Sequence, residues 1–330
     1  MLDLAPVRVG GTPAEAFRNM VDLAQHAERW GFTRFWLAEH HSMPGIASAA
    51  TSVLIGHVAG KTSSIRVGSG GIMLPNHSAM IIAEQFGTLE ILYPGRIDLG
   101  LGRAPGSDRA AARALRFNAN EDDFPQQVSD LLAYLASPIP GQKVSAYPAA
   151  GTNVPVWILG SSTFGAQLAA ALGLPFAFAS HFAPALLMQA IDIYRSAFKP
   201  SEYLDRPYFA AGVPLVAAAT DEQAVRLATS AFQRHLKLIR GETIFVPAPV
   251  DSMDGLWTEP ERFLVESKLD AAVIGSPETV QYQLSRFLTR TNAEELIFTS
   301  DLYDHASRLR SFEIAADAMK RLAAPQLQSV

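Results

Sequence analysis

The feature that most constrains the fold is a regular alternation of short apolar segments with longer amphipathic segments. The apolar segments are rich in β-branched and aromatic residues, which is typical of buried strands, and the amphipathic segments repeat with helical period. This alternation predicts a parallel sheet whose strands are joined by crossover helices. The predicted strands are 2–6, 34–39, 65–69, 97–101, 154–159, 176–180, 213–217 and 296–300.

Eight such strands predict a (β/α)8 TIM barrel, an α/β fold in which a helix follows each strand. The helical patterns lie at about 14–30, 48–60, 79–92, 121–136, 163–173, 184–198, 221–239, 277–290 and 304–323. Residues 1–330 are predicted to form one domain, because no linker or low-complexity segment divides them. The stretch at about 241–270 fits no strand and is predicted to be an insertion between the seventh and eighth units. It is either a solvated excursion or a cover over the active site.

Composition excludes several classes of function. A net charge of −5 without a run of Lys or Arg argues against nucleic-acid binding and against a basic membrane patch, so we expect a small-molecule substrate. The absence of cysteine excludes disulfides, thiolate metal sites and a cysteine nucleophile. The N-terminal residues lack the pattern of a secretory signal, and we expect a cytoplasmic protein.

The second predicted strand ends in three ionisable residues, Glu39, His40 and His41. Strand ends converge on the active site of a barrel, so these residues indicate a catalytic acid or base. A metal site would need further ligands at suitable spacing, which the sequence does not supply, and no metal is predicted. The remaining alternative is a structural histidine held in the core.

Three further segments point to the binding of a flat, phosphorylated ligand. Gly70 and Gly71 end the third strand and allow close approach to the backbone, although a β-bulge would also explain them. Gly100-Leu101-Gly102 precedes Arg103 but is not a dinucleotide-binding fingerprint, because Pro105 stands where the third glycine is required. Arg103 itself is either a fixed charge at the mouth of the barrel or part of a surface ion pair.

The fifth strand ends in Leu159-Gly160 and is followed by Ser161, Ser162 and the start of a helix. Free backbone N–H groups and the positive end of the helix dipole make such a helix start a site for an anion. Plain helix capping by one of the serines is the alternative.

In this order the segments resemble the bacterial luciferase-like flavin-dependent monooxygenase superfamily, and within it the MsnO8-like subgroup. The resemblance covers most of the chain. It is carried by the motifs Ala38-Glu39-His40-His41-Ser42-Met43-Pro44-Gly45, Leu74-Pro75-Asn76-His77, Ala83-Glu84-Gln85-Phe86, Pro94-Gly95-Arg96, Leu159-Gly160-Ser161-Ser162, Ser180-His181-Phe182 and Ser276-Pro277-Glu278-Thr279.

The resemblance implies reduced FMN as a cosubstrate that lies across the strand ends and reacts with O2 to oxidise an aldehyde, ketone or other small organic substrate. It implies His40 as the general base. The implied cofactor contacts are Glu39 at the end of the second strand, Gly70 and Gly71 beneath the isoalloxazine, Leu159 and Gly160 near the flavin, Arg103, Ser161 and Ser162 at the phosphate, and Ser180 and His181 beside the ring. Because Glu39 directly precedes His40, we also expect it to orient the ring of His40 or tune its basicity.

The chain departs from luciferase at three of these places. Gly70-Gly71 replaces an Ala-Ala pair, Ser180 replaces a tryptophan near the ring, and no second phosphate-binding arginine stands near Phe124. The resemblance also implies a homodimer and a separate flavin reductase. Two other functions remain open: an F420-dependent hydride-transfer oxidoreductase on the same fold, and a non-catalytic flavin-binding protein.

Overall fold

Parallel strands form a curled sheet in the computed structural model, which describes residues 1–104, 109–115 and 123–323. Nine strands lie in these ranges. They are β1 (Leu2–Asp3), β2 (Arg34–Leu37), β3 (Arg66–Met73), β4 (Ile97–Gly102), β5 (Val156–Gly160), β6 (Phe176–Phe178), β7 (Phe209–Ala217), β8 (Val273–Gly275) and β9 (Glu295–Thr299).

Helices connect the strands, as the alternating pattern predicts. They are α1 (Pro13–Trp30), α2 (Thr51–Ala59), α3 (Ala79–Leu92), α4 (Arg109–Ala114), α5 (Phe124–Leu135), α6 (Thr163–Leu172), α7 (Leu187–Ala197), α8 (Asp221–Ile239), α9 (Glu259–Lys268), α10 (Pro277–Thr291) and α11 (His305–Ala323). None of the helices within the described ranges has the length and apolar character needed to cross a membrane.

Strands β1 to β8 follow one another across the sheet in chain order, and every pairing is parallel. The long strand β7 has two partners on one side. Its residues 210–214 pair with β9, and its residues 215–217 pair with β8. Strand β9 also contacts β1, so the two ends of the curled sheet approach each other.

The strand count differs from the sequence prediction because β8 was not predicted. It has three residues, Val273, Ile274 and Gly275, which is shorter than the run of four to eight residues that the apolar pattern can identify. The stretch 241–270 contains α9 and leads almost directly into β8. It lies between α8 and β8, and the structure does not confirm that it is an insertion between two units.

Charged residues form ion pairs with one another inside the curled sheet, at the amino ends of the strands. Arg34 pairs with Asp98 at 2.6 Å and with Glu295 at 2.8 Å, and Arg66 pairs with Asp98 at 2.6 Å. Trp36 donates its indole N–H to Asp98 at 3.1 Å. Above this layer lies a small apolar cluster inside the sheet, and space for a ligand remains at the carboxyl ends.

Candidate functional site

A cavity of about 580 Å³ lies at the carboxyl ends of the strands, within the size range of sites for small molecules and cofactors. Its wall is mostly apolar. Of the eleven predicted site residues, nine line it: His40, Gly70, Gly71, Arg103, Leu159, Gly160, Ser161, Ser162 and His181. Glu39 and Ser180 are fully buried beside the cavity and are not among its lining residues.

One end of the cavity carries a positive charge held next to a helix start. The guanidinium carbon of Arg103 lies 4.1 Å from the centroid of the Phe164 ring. Phe164 belongs to the first turn of α6, and Ser162 is the N-cap of that helix. The Ser162 side chain makes no capping hydrogen bond in the described part of the chain. Arg103, Ser161 and Ser162 thus converge where the helix dipole also favours an anion.

The glycine pair on β3 borders the cavity and also forms a β-bulge. The peptide bond between Gly70 and Gly71 is cis, and the pairing of β3 with β4 shifts register here. A β-carbon at Gly70 would lie 2.8 Å from Leu2 Cδ1, and one at Gly71 would lie 2.8 Å from the carbonyl oxygen of Gly100. Packing against the backbone of β4 therefore requires glycine at Gly71, whatever ligand the cavity holds, whereas at Gly70 the nearest atom is the mobile end of the Leu2 side chain.

Glu39 supports the neighbouring loop. Its carboxylate accepts hydrogen bonds from His41 Nε2 at 2.8 Å, from His77 Nε2 at 2.9 Å and from the Met73 amide at 3.0 Å. Burial acts to raise the pKa of the Glu39 carboxyl, but the bonds from His77, His41 and Met73 outweigh it and hold this pKa below its usual value. His40, the next residue, lines the cavity instead. The alternation of side chains along an extended chain explains this separation.

Ser180 and His181 meet Gly212 of β7. The Ser180 hydroxyl donates to the carbonyl oxygen of Gly212 at 2.5 Å, so this side chain links the loop after β6 to β7. The Nδ1 atom of His181 is enclosed against Gly212, where an added β-carbon would clash with it. Burial lowers the pKa of His181 to about 4. The nearby His235 and His40 also lower this pKa, whereas the charge of Asp301 acts to raise it. His181 is therefore neutral near pH 7.

The sequence prediction missed a polar group on the α8 side of the cavity. Arg234 forms an ion pair with Asp301 and donates to the carbonyl oxygen of Ile244 at 3.2 Å. Burial acts to raise the pKa of Asp301, but the charge of Arg234 outweighs it and lowers this pKa. His235 stands beside the pair and donates through Nδ1 to the Ala231 carbonyl at 2.9 Å. All of these residues line the cavity.

No group of three or more His, Asp or Glu side chains in the described ranges is placed to hold a metal ion. The polar and charged side chains that line the cavity include those of Arg103, His40, His181, Arg234 and Asp301.

The family of the chain is decided by comparison with known proteins. The model of the luciferase-like monooxygenase family matches residues 1–294. The chain belongs to this family. This family member is 54% identical to the uncharacterized protein YvbT of Bacillus subtilis, over 97% of this chain and 96% of that protein. It is 49% identical to a luciferase-like monooxygenase of Escherichia coli K12, over 98% and 97% of the two chains.

Solved structures agree with this assignment. The crystal structure of apo-MsnO8 has a TM-score of 0.87 and 34% identity, covering 97% of each chain. Two more distant structures share the fold. They are the oxygenating constituent of 3,6-diketocamphane monooxygenase from Pseudomonas putida in complex with FMN (TM-score 0.73, 19% identity, covering 96% and 95%) and an F420-dependent secondary alcohol dehydrogenase (TM-score 0.64, 16% identity, covering 93% and 94%).

Proposed function

We propose that this protein is a monooxygenase that uses reduced FMN as a cosubstrate and O2 to oxidise a small organic substrate such as an aldehyde or ketone. The observation that carries the proposal is the cavity itself, which is apolar along most of its length and ends at Arg103 beside the start of α6. The phosphate of FMN is an anion that suits the Arg103 end of the cavity, and the isoalloxazine is a flat ring that suits its apolar part. A separate flavin reductase would supply the reduced cofactor.

The phosphate would be held by Arg103, Ser161 and Ser162. A phosphate dianion is best bound by a fixed charge together with free N–H and O–H donors, and this end of the cavity offers both. The Phe164 ring restricts the guanidinium of Arg103, which reduces the entropy lost on binding. The sequence shows no second arginine near Phe124, so the serines and the helix start would provide the remaining contacts.

The ring system would lie over Gly70 and Gly71 and among apolar side chains from the inside of the sheet. Leu2, Trp36 and Leu159 line this middle part of the cavity. When bound, reduced FMN would supply two electrons to O2, of which one oxygen atom enters the substrate and the other leaves as water. The apolar wall would limit the access of bulk water, which would suppress the unproductive transfer of both electrons to O2 with release of hydrogen peroxide.

His40 is the proton acceptor that the site favours. It lines the cavity directly after β2, and an imidazole normally titrates near neutral pH. Two other histidines near the cavity are less suited to this role. His181 has a pKa lowered to about 4, which makes it a poor base at neutral pH. His77 is hydrogen-bonded to Glu39 and is not among the lining residues.

A second candidate function is F420-dependent hydride transfer, supported by the alcohol dehydrogenase that shares this fold. A flavin-binding protein without activity is the third. The experiment that separates them is a titration of the purified protein with FMN, reduced FMN and F420, followed by exposure to O2 and a carbonyl substrate. Tight FMN binding with substrate-dependent oxygen uptake supports the proposal. F420 binding alone, or FMN binding without oxygen uptake, contradicts it.

We also propose a homodimer that forms through α2 and α3. These helices expose large apolar side chains, among them Val53, Ile81 and Leu92, whose exposed fractions are 68%, 51% and 63%. Apolar side chains grouped on neighbouring helices are typical of a protein interface.

A further inference from the structure

Part of the cavity is lined by α8 and the segments next to it. We call it the α8 pocket and define it by its lining residues Phe182, Ala231, Phe232, Leu238, Ile244 and Ile274. Their side chains are apolar, so the pocket favours a ligand with an apolar body.

Charged groups stand at the edge of this pocket. Asp301 pairs with Arg234. The Lys268 ammonium nitrogen lies 6.0 Å from the centroid of the Phe182 ring and donates to the Phe182 carbonyl at 3.4 Å. The apolar lining between these groups is where the body of a ligand would lie.

His181 is the polar group that remains at this pocket. The ring lines the cavity, and its Nδ1 atom is buried with no hydrogen-bond partner in the described part of the chain. A buried N–H without a partner is rarer and more costly than a buried lone pair. In the neutral ring Nδ1 is therefore the unprotonated nitrogen, and Nε2 carries the proton toward the cavity. Gly212 leaves room for the ring, because a β-carbon there would clash with Nδ1.

We propose that the α8 pocket holds the apolar body of the substrate, and that the Nε2–H group of His181 donates a hydrogen bond to its carbonyl oxygen. This inference rests on the proposed function and names the residue that recognises the aldehyde or ketone. Asp301, His235 and His40 are the titratable groups near the ring. His181 acts here as a neutral donor, whereas the proton acceptor of the reaction is His40.

The first test is the tautomer of His181 in the full protein without flavin. Long-range ¹H–¹⁵N NMR of ¹⁵N-labelled protein distinguishes the two neutral tautomers, and the spectrum of His181→Leu identifies the signals of this residue. We expect the proton on Nε2. A proton on Nδ1, or a charged ring at pH 7, would overturn the proposal.

The second test measures binding of two probes to the same flavin-free protein. Cyclohexanone carries the carbonyl oxygen, and methylenecyclohexane has the same shape without it. Because one neutral hydrogen bond contributes about 0.5–1.5 kcal/mol, His181→Leu should weaken cyclohexanone binding about 3- to 10-fold and leave methylenecyclohexane binding nearly unchanged. Gly212→Ala should give the same loss, because it displaces the ring while keeping the histidine.

The control is His57→Leu, which changes an exposed histidine on α2 and should alter neither affinity. Thermal unfolding verifies that each variant is folded. Unchanged cyclohexanone affinity in folded His181→Leu, or an equal loss for both probes, would contradict recognition of the carbonyl oxygen. The assay contains neither flavin nor O2, so failure of the proposed monooxygenase reaction would leave its result intact.

Discussion

The Arg103 guanidinium stacks on the Phe164 ring, with 4.1 Å between the guanidinium carbon and the ring centroid. Arg103 directly follows β4, and Phe164 lies in the first turn of α6, the helix after β5. This contact therefore holds the charge of Arg103 next to the start of α6. The proposed phosphate site depends on this link. Variants at either residue therefore test it.

Arg103→Ala should weaken FMN binding about 10- to 100-fold, because a charge-assisted contact to phosphate is worth roughly 1.5–3 kcal/mol. Riboflavin, which lacks the phosphate, should bind almost as before. Fluorescence titration measures both affinities, and Arg29→Ala on the exposed end of α1 serves as the control. Equal losses for the two ligands would remove Arg103 from the phosphate site. Phe164→Leu should give a smaller loss, because the charge remains but is less restrained.

His40→Ala should retain FMN but lower turnover by about two to four orders of magnitude, the usual effect of removing a general base. His41→Ala should do less harm, because His41 is hydrogen-bonded to Glu39. Turnover is followed with excess reduced FMN and a panel of aldehydes and ketones. Near-native turnover of His40→Ala on an accepted substrate would place the proton acceptor elsewhere.

Gly71→Val should destabilise the fold as well as impair flavin binding. A β-carbon at this position would lie 2.8 Å from the Gly100 carbonyl oxygen and 3.3 Å from the Gly102 amide nitrogen, and backbone atoms of a paired strand cannot move aside cheaply. We expect a clearly lower melting temperature. Gly56→Ala in α2 is the control: its β-carbon would lie 3.2 Å from the flexible end of the Leu89 side chain and meet no backbone of a paired strand, so its effect should be much smaller than that of Gly71→Val. An unchanged melting temperature of Gly71→Val would show that β3 and β4 can separate at the bulge.

Glu39 should contribute to stability in a pH-dependent way. Its pKa is lowered in the folded protein, so its contribution is complete above the unfolded value of about 4.5 and is lost as the pH falls through the folded pKa. Urea unfolding of the wild type should therefore show a loss of stability on going from pH 5.5 to pH 3.5. Glu39→Gln should be less stable at pH 5.5 and should lose less over this range. Parallel pH curves for the two proteins would contradict this role.

Leu92→Glu should shift the protein from dimer to monomer, because it places a charge among the exposed apolar residues of α2 and α3. Sedimentation measures the mass, and Tyr282→Glu on the exposed face of α10 is the control. A monomeric wild type, or a Leu92→Glu protein that stays dimeric, would contradict the proposed interface.

Much of the fold was predictable because helical and strand periods are distinct in this sequence. Helices α3 (Ala79–Leu92) and α8 (Asp221–Ile239) match their predicted limits. The first strand was overestimated, because Ala5 adopts a positive φ of 45° and the strand ends at Asp3. Strand β8 was too short to be recognised.

The site was predictable where it follows the ends of strands, as for His40 and Arg103. The same rule applies to Asp301, which comes directly after the last predicted strand. Arg234 and His235 do not follow a strand end and could not be identified in this way. They lie on helix α8, and charged residues on a helix usually face solvent. Their role depends on the contact between Arg234 and Asp301, 67 residues apart, and sequence spacing does not reveal it.

The central claim is that one oxygen atom of O2 enters the substrate at the expense of reduced FMN. The most direct measurement is mass spectrometry of the product formed from reduced FMN, ¹⁸O2 and an accepted aldehyde or ketone in ordinary water. We expect one ¹⁸O atom per product molecule, and no product when reduced F420 replaces reduced FMN. Product without ¹⁸O, or product formed by F420 without O2, would contradict the account.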